Sequence, residues 1–396
     1  LVYGNGITNG RENRAAFASY RSGNDVLRIF PDHTNHSIAS PYIVPNIGAT
    51  SDYSIKSVSV LWQDAPLLIA NPRLSADGHS ILFDVNRSTI TQGNAVIGII
   101  GAKGVIWSWH IWVTDLKLDD RYESCYGEDV PVATRPNYSS EADSKYYMMP
   151  VNLGWCSNFG SFYKTVKTLV KFTQAGSGKT AILAIVRNGA PNGNLLGNNP
   201  YYQWGRKDPF PGALQGGNKT WYDHKGNQYT KNFNYFPHNW QVYMSIYSPM
   251  SFCTNINQAS RHCNLWNMDD DGASSYTAET KTIFDPCPVG YMIPNRQAFT
   301  NFTNPTGSFK NGYMFASINH EETIFMPASG FRSGRYRGEA YYIGLTGCYY
   351  TLNPDYKCKT MAYVFVIDAT KIRNDGSTIR TDAFSVRPVR EAGFKR

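Results

Sequence analysis

Two short stretches carry residue types and spacings suited to ligand chemistry. Gly176-Ser177-Gly178-Lys179-Thr180 has the glycines, lysine and hydroxyl that cradle a nucleotide phosphate. A phosphate loop also needs glycine five residues before Gly178, where the chain has Thr173, and a helix after the loop, where Ala181 to Arg187 is strand-like. The stretch therefore predicts a hairpin turn with Lys179 in solvent and no response to ATP. Asn267-Met268-Asp269-Asp270-Asp271-Gly272 places oxygen ligands at Asn267, Asp269 and Asp271 with glycine sixth, like the opening of a calcium loop. Its twelfth position is Ala278, and Glu279 arrives one residue late. The expectation is a solvated acidic turn without a cofactor, with bound Ca2+ as the alternative.

The eight histidines are dispersed, and none has metal-ligand spacing with good partners. No G-x-S-x-G elbow and no H-E-x-x-H pair is present. The seven cysteines (125, 156, 253, 263, 287, 348 and 358) include no C-x-x-C pair. Cys253 with Cys263, and Cys348 with Cys358, are spaced so that either pair could bridge; free half-buried thiols are the competing reading. No catalytic constellation is visible, and the expectation is a protein that is not an enzyme.

The elements that must position any site are strands. Ser57 to Trp62, Ser80 to Val85, Ala95 to Ile100 and Val105 to Val113 are β-branched or alternating runs separated by turn residues. Gly101-Ala102-Lys103-Gly104 reads as the turn of a buried hairpin, and in Ile106 to Ile111 both Trp fall on one face with Ser108 and His110 on the other. Residues 1–120 predict a β-sandwich of immunoglobulin type, residues 121–145 a polar connector, and residues 146–396 a second domain. In that domain Lys164 to Thr173 and Ala181 to Arg187 read as strands, and Asn188 to Asp285 as long loops. A helix start follows Pro294, and strands resume at Glu322 to Met326, Ala340 to Leu345, Met361 to Asp368 and Phe384 to Val389.

The most specific local signal is Asp285-Pro286-Cys287-Pro288-Val289-Gly290-Tyr291-Met292-Ile293-Pro294. It resembles the D-P-C-P-x-G element of the Fibrobacter succinogenes major paralogous domain, a branch of the C-type-lectin-like, formylglycine-generating-enzyme-like fold. Other landmarks follow the family order: Met149-Pro150-Val151-Asn152-Leu153, Tyr201-Tyr202-Gln203-Trp204-Gly205-Arg206, Asn264-Leu265-Trp266, Phe325-Met326-Pro327-Ala328-Ser329-Gly330-Phe331-Arg332 and Ser385-Val386-Arg387-Pro388-Val389. The likeness covers roughly residues 140–396. It implies a mostly β chain whose second domain is an α+β C-type-lectin-like domain with long loops, its two ends meeting in one sheet. The preceding region is similar to the module found before this domain in fimbrial tip and cell-surface adhesins of Bacteroidales-type bacteria.

The resemblance further implies a ligand-facing surface between the Tyr341-Tyr342 strand and Ser385, a segment that diversity-generating retroelements randomise in some relatives. Where family members carry a tryptophan, this chain has Ile343. Tyr and Asn in this segment suit a paratope-like surface. The expected ligand-binding residues are Arg335, Tyr336, Arg337, Tyr342, Thr346, Tyr349, Tyr350, Asn353, Asp355, Tyr356 and Lys357, together on one exposed face. The function implied is a non-catalytic adhesin at a fimbrial tip or cell surface, with a receptor protein or glycan and a neighbouring pilus subunit as partners. A bacteriophage tail receptor-binding protein and a formylglycine-generating-type oxidase are the alternatives.

Composition agrees with this class. Of 396 residues, 42% are hydrophobic and only 17% charged, which excludes a disordered tail and a coiled coil. Aromatics reach 14%, led by 27 Tyr, and with 34 Gly and 21 Pro they favour strands and turns over helices. The net charge of +8 is scattered, without the basic run of a nucleic-acid arm. The most apolar stretch, Ala95 to Val113, is interrupted by Lys103, His110 and three glycines, so no transmembrane segment is expected. The chain opens on Leu without a signal peptide, which reads as a processed product or a fragment; the resemblance implies a secreted, extracellular protein with residues missing upstream.

Overall fold

The computed structural model describes residues 55–76, 81–86, 90–102, 104–114, 129–136, 143–156, 166–187, 196–214, 220–229, 233–236, 242–255, 281–282, 284–288, 290–358 and 360–393, with 2–3, 138, 140, 217–218, 266–267 and 279 besides. The protein is mostly β. Among the described residues the helical content is one helix, Val242–Tyr247, and a 3-10 turn, Arg296–Phe299. The Asn295 side chain caps that turn by accepting from the Gln297 amide at 3.1 Å.

A six-stranded antiparallel sheet organises the first region, in the order Val2–Tyr3, Gly104–Val113, Gly93–Gly101, Ser57–Gln63, Trp221–Tyr222 and Gln228–Tyr229. The hairpin expected at residues 95–113 is its centre, with Ile97 opposite Trp109 and Gly98 opposite Ser108. Its turn closes on Gly104, at φ 136°, where a Cβ would stand 2.9 Å from the Tyr247 carbonyl oxygen. The last strands of this sheet come from far along the chain: Tyr222 pairs with Gln63.

In the second region, strands Val130–Thr134, Lys145–Met148, Val389–Arg390 and Tyr291–Met292 form one antiparallel sheet. Strands Tyr202–Gln203, Ala383–Phe384, Phe331–Ser333 and Glu339–Tyr341 form another, and Thr346–Pro354, Met361–Asp368 and Ile372–Ile379 a third. The two expected ends meet. The Met149 amide donates to the Pro388 carbonyl, and the Leu153 amide to the Val386 carbonyl, each at 2.9 Å.

The connector expected over 121–145 contains a strand. Val130, Val132 and Ala133 are buried, and the alternation of β-branched residues in Val130-Pro131-Val132 supplies the reason. The Ser108 and His110 face, opposite the tryptophans, is buried as well. Lys207 Nζ donates to the Ser108 carbonyl at 2.8 Å and Asp208 Oδ2 at 2.6 Å, while Ser108 Oγ donates to the same carboxylate at 2.8 Å. His110 bridges Asn94 Oδ1 at 2.9 Å and the Tyr202 hydroxyl at 3.1 Å. Burial brings its pKa down to about 4, against the attraction of Asp208 and Asp64, so the ring is neutral. One hydrophobic core thus runs from Val60 through Trp112 and Trp155 to Val389.

Candidate functional site

The segment from Ala328 to Phe384 folds around close backbone approaches. Gly330 sits at φ 71°, donates its amide to the Thr346 carbonyl at 2.7 Å and would place a Cβ 2.4 Å from the Tyr341 carbonyl oxygen. The following turn is tightened by Gly344, whose amide donates to the Ala328 carbonyl at 2.7 Å. It leaves Tyr342 at φ 57°, a left-handed conformation that costs a bulky side chain on the order of 1–3 kcal/mol. Tyr342 is nonetheless 56% exposed. Its ring lies at the mouth of a half-open cavity of about 280 Å³. Phe331, Val364, Val366 and Phe384 supply apolar lining, and Arg373, Ser377, Thr378 and Asp382 polar lining.

Aromatic rings continue outward from this mouth. Phe331 lies 5.8 Å from Tyr342, Tyr341 6.3 Å from Tyr342, and Tyr336 5.3 Å from Tyr341. Arg335 stands over Tyr336 at 5.6 Å, and Arg337 over Tyr235 at 4.2 Å. A hydrogen bond at 2.7 Å to Glu339 pushes the Tyr341 phenol up to about 12, so the ring stays neutral and keeps its O–H. Planar rings with cations beside them are ready-made recognition surface, needing few torsions to be fixed on binding.

Six of the eleven expected binding residues are exposed: Arg335, Tyr336, Arg337, Tyr342, Tyr356 and Lys357, with Thr346 partly so. The other four are not. Tyr349, Tyr350, Asn353 and Asp355 are buried in or beside strand Thr346–Pro354, whose inner residues are enclosed on both sides. Each has internal work. The Tyr349 hydroxyl donates to the Pro327 carbonyl at 2.5 Å and that of Tyr350 to the Asp382 carbonyl at 2.8 Å. Asn353 Oδ1 accepts from the Arg296 amide at 2.8 Å, and Asp355 Oδ2 from Ser377 Oγ at 2.6 Å.

The exposed residues also form two groups instead of one face. Tyr342 and Thr346 stand at one end of that strand and Tyr356 and Lys357 beyond the other, roughly 25 Å apart at about 3.3 Å per residue. In the second group Tyr356 lies 6.2 Å from Tyr363, which Arg296 covers at 4.6 Å.

Sequence reasoning missed Phe331, Arg373, Ser377 and Asp382: Arg373 and Ser377 share strand Ile372–Ile379, Phe331 and Asp382 lie outside it, and the four carry no joint motif. Asp382 is the carboxylate that lines the cavity with a raised pKa. Burial raises its carboxyl to about 6, opposed by hydrogen bonds from the Gly334 amide and Ser333. Cys348 also lines the cavity. Burial, with Asp382 nearby, pushes its thiol up to about 12, the opposite of what a reactive thiolate needs. Cys253, Cys348 and Cys358 are free, so the Cys348–Cys358 bridge does not form.

The two ligand-like motifs resolve differently. Gly176 to Lys179 is the turn of a hairpin between Val166–Thr173 and Thr180–Arg187, with Gly176 and Gly178 at positive φ and Lys179 exposed, as expected. Asp269 and Asp271 lie outside the described residues, and Asn267 is buried in a bridge with Lys281. Among the described residues no three His, Cys, Asp or Glu side chains gather as a metal site, and no helix is long and apolar enough to cross a membrane.

Fold and cavity together define a β-rich protein with an aromatic-rimmed, half-open recess. Comparison of the chain with protein-family models, curated proteins and solved structures gives no match.

Proposed function

We propose that this protein is a non-catalytic adhesin or receptor-binding protein of the cell surface or a fimbrial tip. Its second region would be a C-type-lectin-like domain carried on a β-sandwich. The observation that carries the reading is Tyr342, held 56% exposed at φ 57° over the Phe331–Asp382 cavity. An exposed aromatic in a costly backbone conformation is a feature that stability alone does not favour. Tyr336, Tyr341 and Arg335 extend the same surface and suit a receptor protein or glycan pressed against the rim. The pairing of Met149 and Leu153 with the Pro388 and Val386 carbonyls supports the lectin-like reading, because that fold joins its ends in this manner. A glycan and protein array probed with the chain and with Tyr342→Ala tests the proposal. The expected result is a ligand retained by the first and lost by the second; equal retention would move the site elsewhere.

A further inference from the structure

The hairpin Val166–Thr173 and Thr180–Arg187 is the one long element that joins no larger sheet among the described residues. Eight residue pairs are in continuous register, from Val166 opposite Arg187 to Thr173 opposite Thr180. Every residue from Lys171 to Leu183 is exposed, including Phe172 at 53%, Ile182 at 67% and Leu183 at 52%. Directly opposed residues share a face, so Phe172 and Ala181 lie beside Val170 and Leu183 on one side, with Lys171 and Ile182 on the other. No described residue hydrogen-bonds to the outer edge of either strand. A two-stranded ribbon alone in water is marginal, and a third strand over an apolar face is the ordinary remedy.

Charge says what that strand is. The sequence carries no Asp or Glu between Asp143 and Asp208, while Lys167, Lys171 and Arg187 fall in the ribbon strands and Lys179 in their turn. Lysines along an edge repel a second copy of the same edge. A lipid surface is disfavoured too, since hydrocarbon offers no partners to edge amides and carbonyls that have none among the described residues. An extended acidic segment meets both requirements: its backbone completes the ladder and its carboxylates answer the lysines. We propose that this ribbon is a docking arm that captures an extended, alternating apolar–acidic segment of another protein as its third strand. This surface is separate from the Tyr342 cavity and stands or falls independently of it.

The test uses the full chain and a fluorescent acetylated peptide alternating Val and Glu. Binding is expected by anisotropy, weakened by salt, absent for the matching Val–Lys peptide, and accompanied by slowed hydrogen exchange along one outer edge of the ribbon. Lys179→Glu, placed in the exposed turn where no strand contact is lost, should weaken binding about tenfold or more, and Phe172→Thr similarly. Unchanged binding in both variants, equal binding of the Val–Lys peptide, or no binding of the Val–Glu peptide would overturn the proposal. So would association with phosphatidylglycerol vesicles, or self-association, that is lost in Lys179→Glu while the peptide fails to compete.

Discussion

Met149 and Arg387 lie 238 positions apart and are joined by a hydrogen bond from the guanidinium Nη1 to the Met149 carbonyl at 3.1 Å. Nη2 of the same side chain reaches the Phe325 carbonyl at 2.6 Å, so one arginine ties the opening segment, the closing segment and strand Thr323–Pro327. Burial brings its pKa down to about 10, still charged at neutral pH. Arg387→Met keeps the volume and removes both bonds, stranding the buried Met149 carbonyl at about 1–3 kcal/mol and the part-buried Phe325 carbonyl at less. The expected result is a fall of that order in urea-unfolding free energy, with Lys unable to restore both bonds.

The Lys207–Asp208 pair, packed on Ser108 and 2% exposed at both side chains, invites a similar substitution. Burial lowers the Lys207 pKa, and the Asp208 carboxylate opposes that shift. Lys207→Met leaves Asp208 as a lone buried charge and should cost about 3–5 kcal/mol, whereas Lys207→Met with Asp208→Leu should recover much of it. Thermal melts of the single and double variants check this; equal losses would place the cost elsewhere.

At Tyr342, stability and binding should separate. Tyr342→Gly relieves the left-handed strain while loosening the unfolded chain, leaving stability within about 1 kcal/mol of the parent. Loss of the ring should weaken any array-identified ligand by about 1–4 kcal/mol. Calorimetry on both proteins reads the two quantities together.

Asp382 makes stability depend on pH in a defined sense. Its folded pKa is raised from the ordinary 3.8 to about 6, so the native state holds its proton where the unfolded chain has released it. The contribution is fully present below about pH 4, falls as pH rises towards 6, and is flat above, on the order of 2–3 kcal/mol in all. Asp382→Asn keeps an acceptor for the Gly334 amide and should abolish that slope. Denaturant titrations of both proteins from pH 4 to 7 should diverge in this interval.

The regular strands were legible wherever alternation or β-branching was clean. Met361–Asp368 falls where the residues predict it, and the 93–113 hairpin lies within two residues of expectation. Strand Thr346–Pro354 was not legible. Its Gly, Cys, Tyr, Thr, Asn and Pro look like an exposed loop, and only the hydrogen bonds of Tyr349, Tyr350 and Asn353 to distant backbone make such a sequence a core strand. That is also why four site residues were misplaced: tyrosine serves both a receptor surface and a buried strand with acceptors at hand. The partners of Ser108 and His110 were not legible, since Asp208 and Tyr202 lie about a hundred residues away. Arg335, Tyr336 and Tyr342 are exposed as the resemblance implied, although the run Ala340 to Leu345 reads as strand and Tyr342 in fact sits at the start of a turn.

The same long-range partnership constrains how the chain can be made. Ser108 and Asp208 are 100 residues apart, and Gln63 waits for Tyr222 to extend its sheet. During synthesis or passage through a narrow pore from the amino end, the 93–113 hairpin emerges with Ser108, His110 and three tryptophans lacking their cover. That half-built sheet is exposed to off-target association until the later segment arrives.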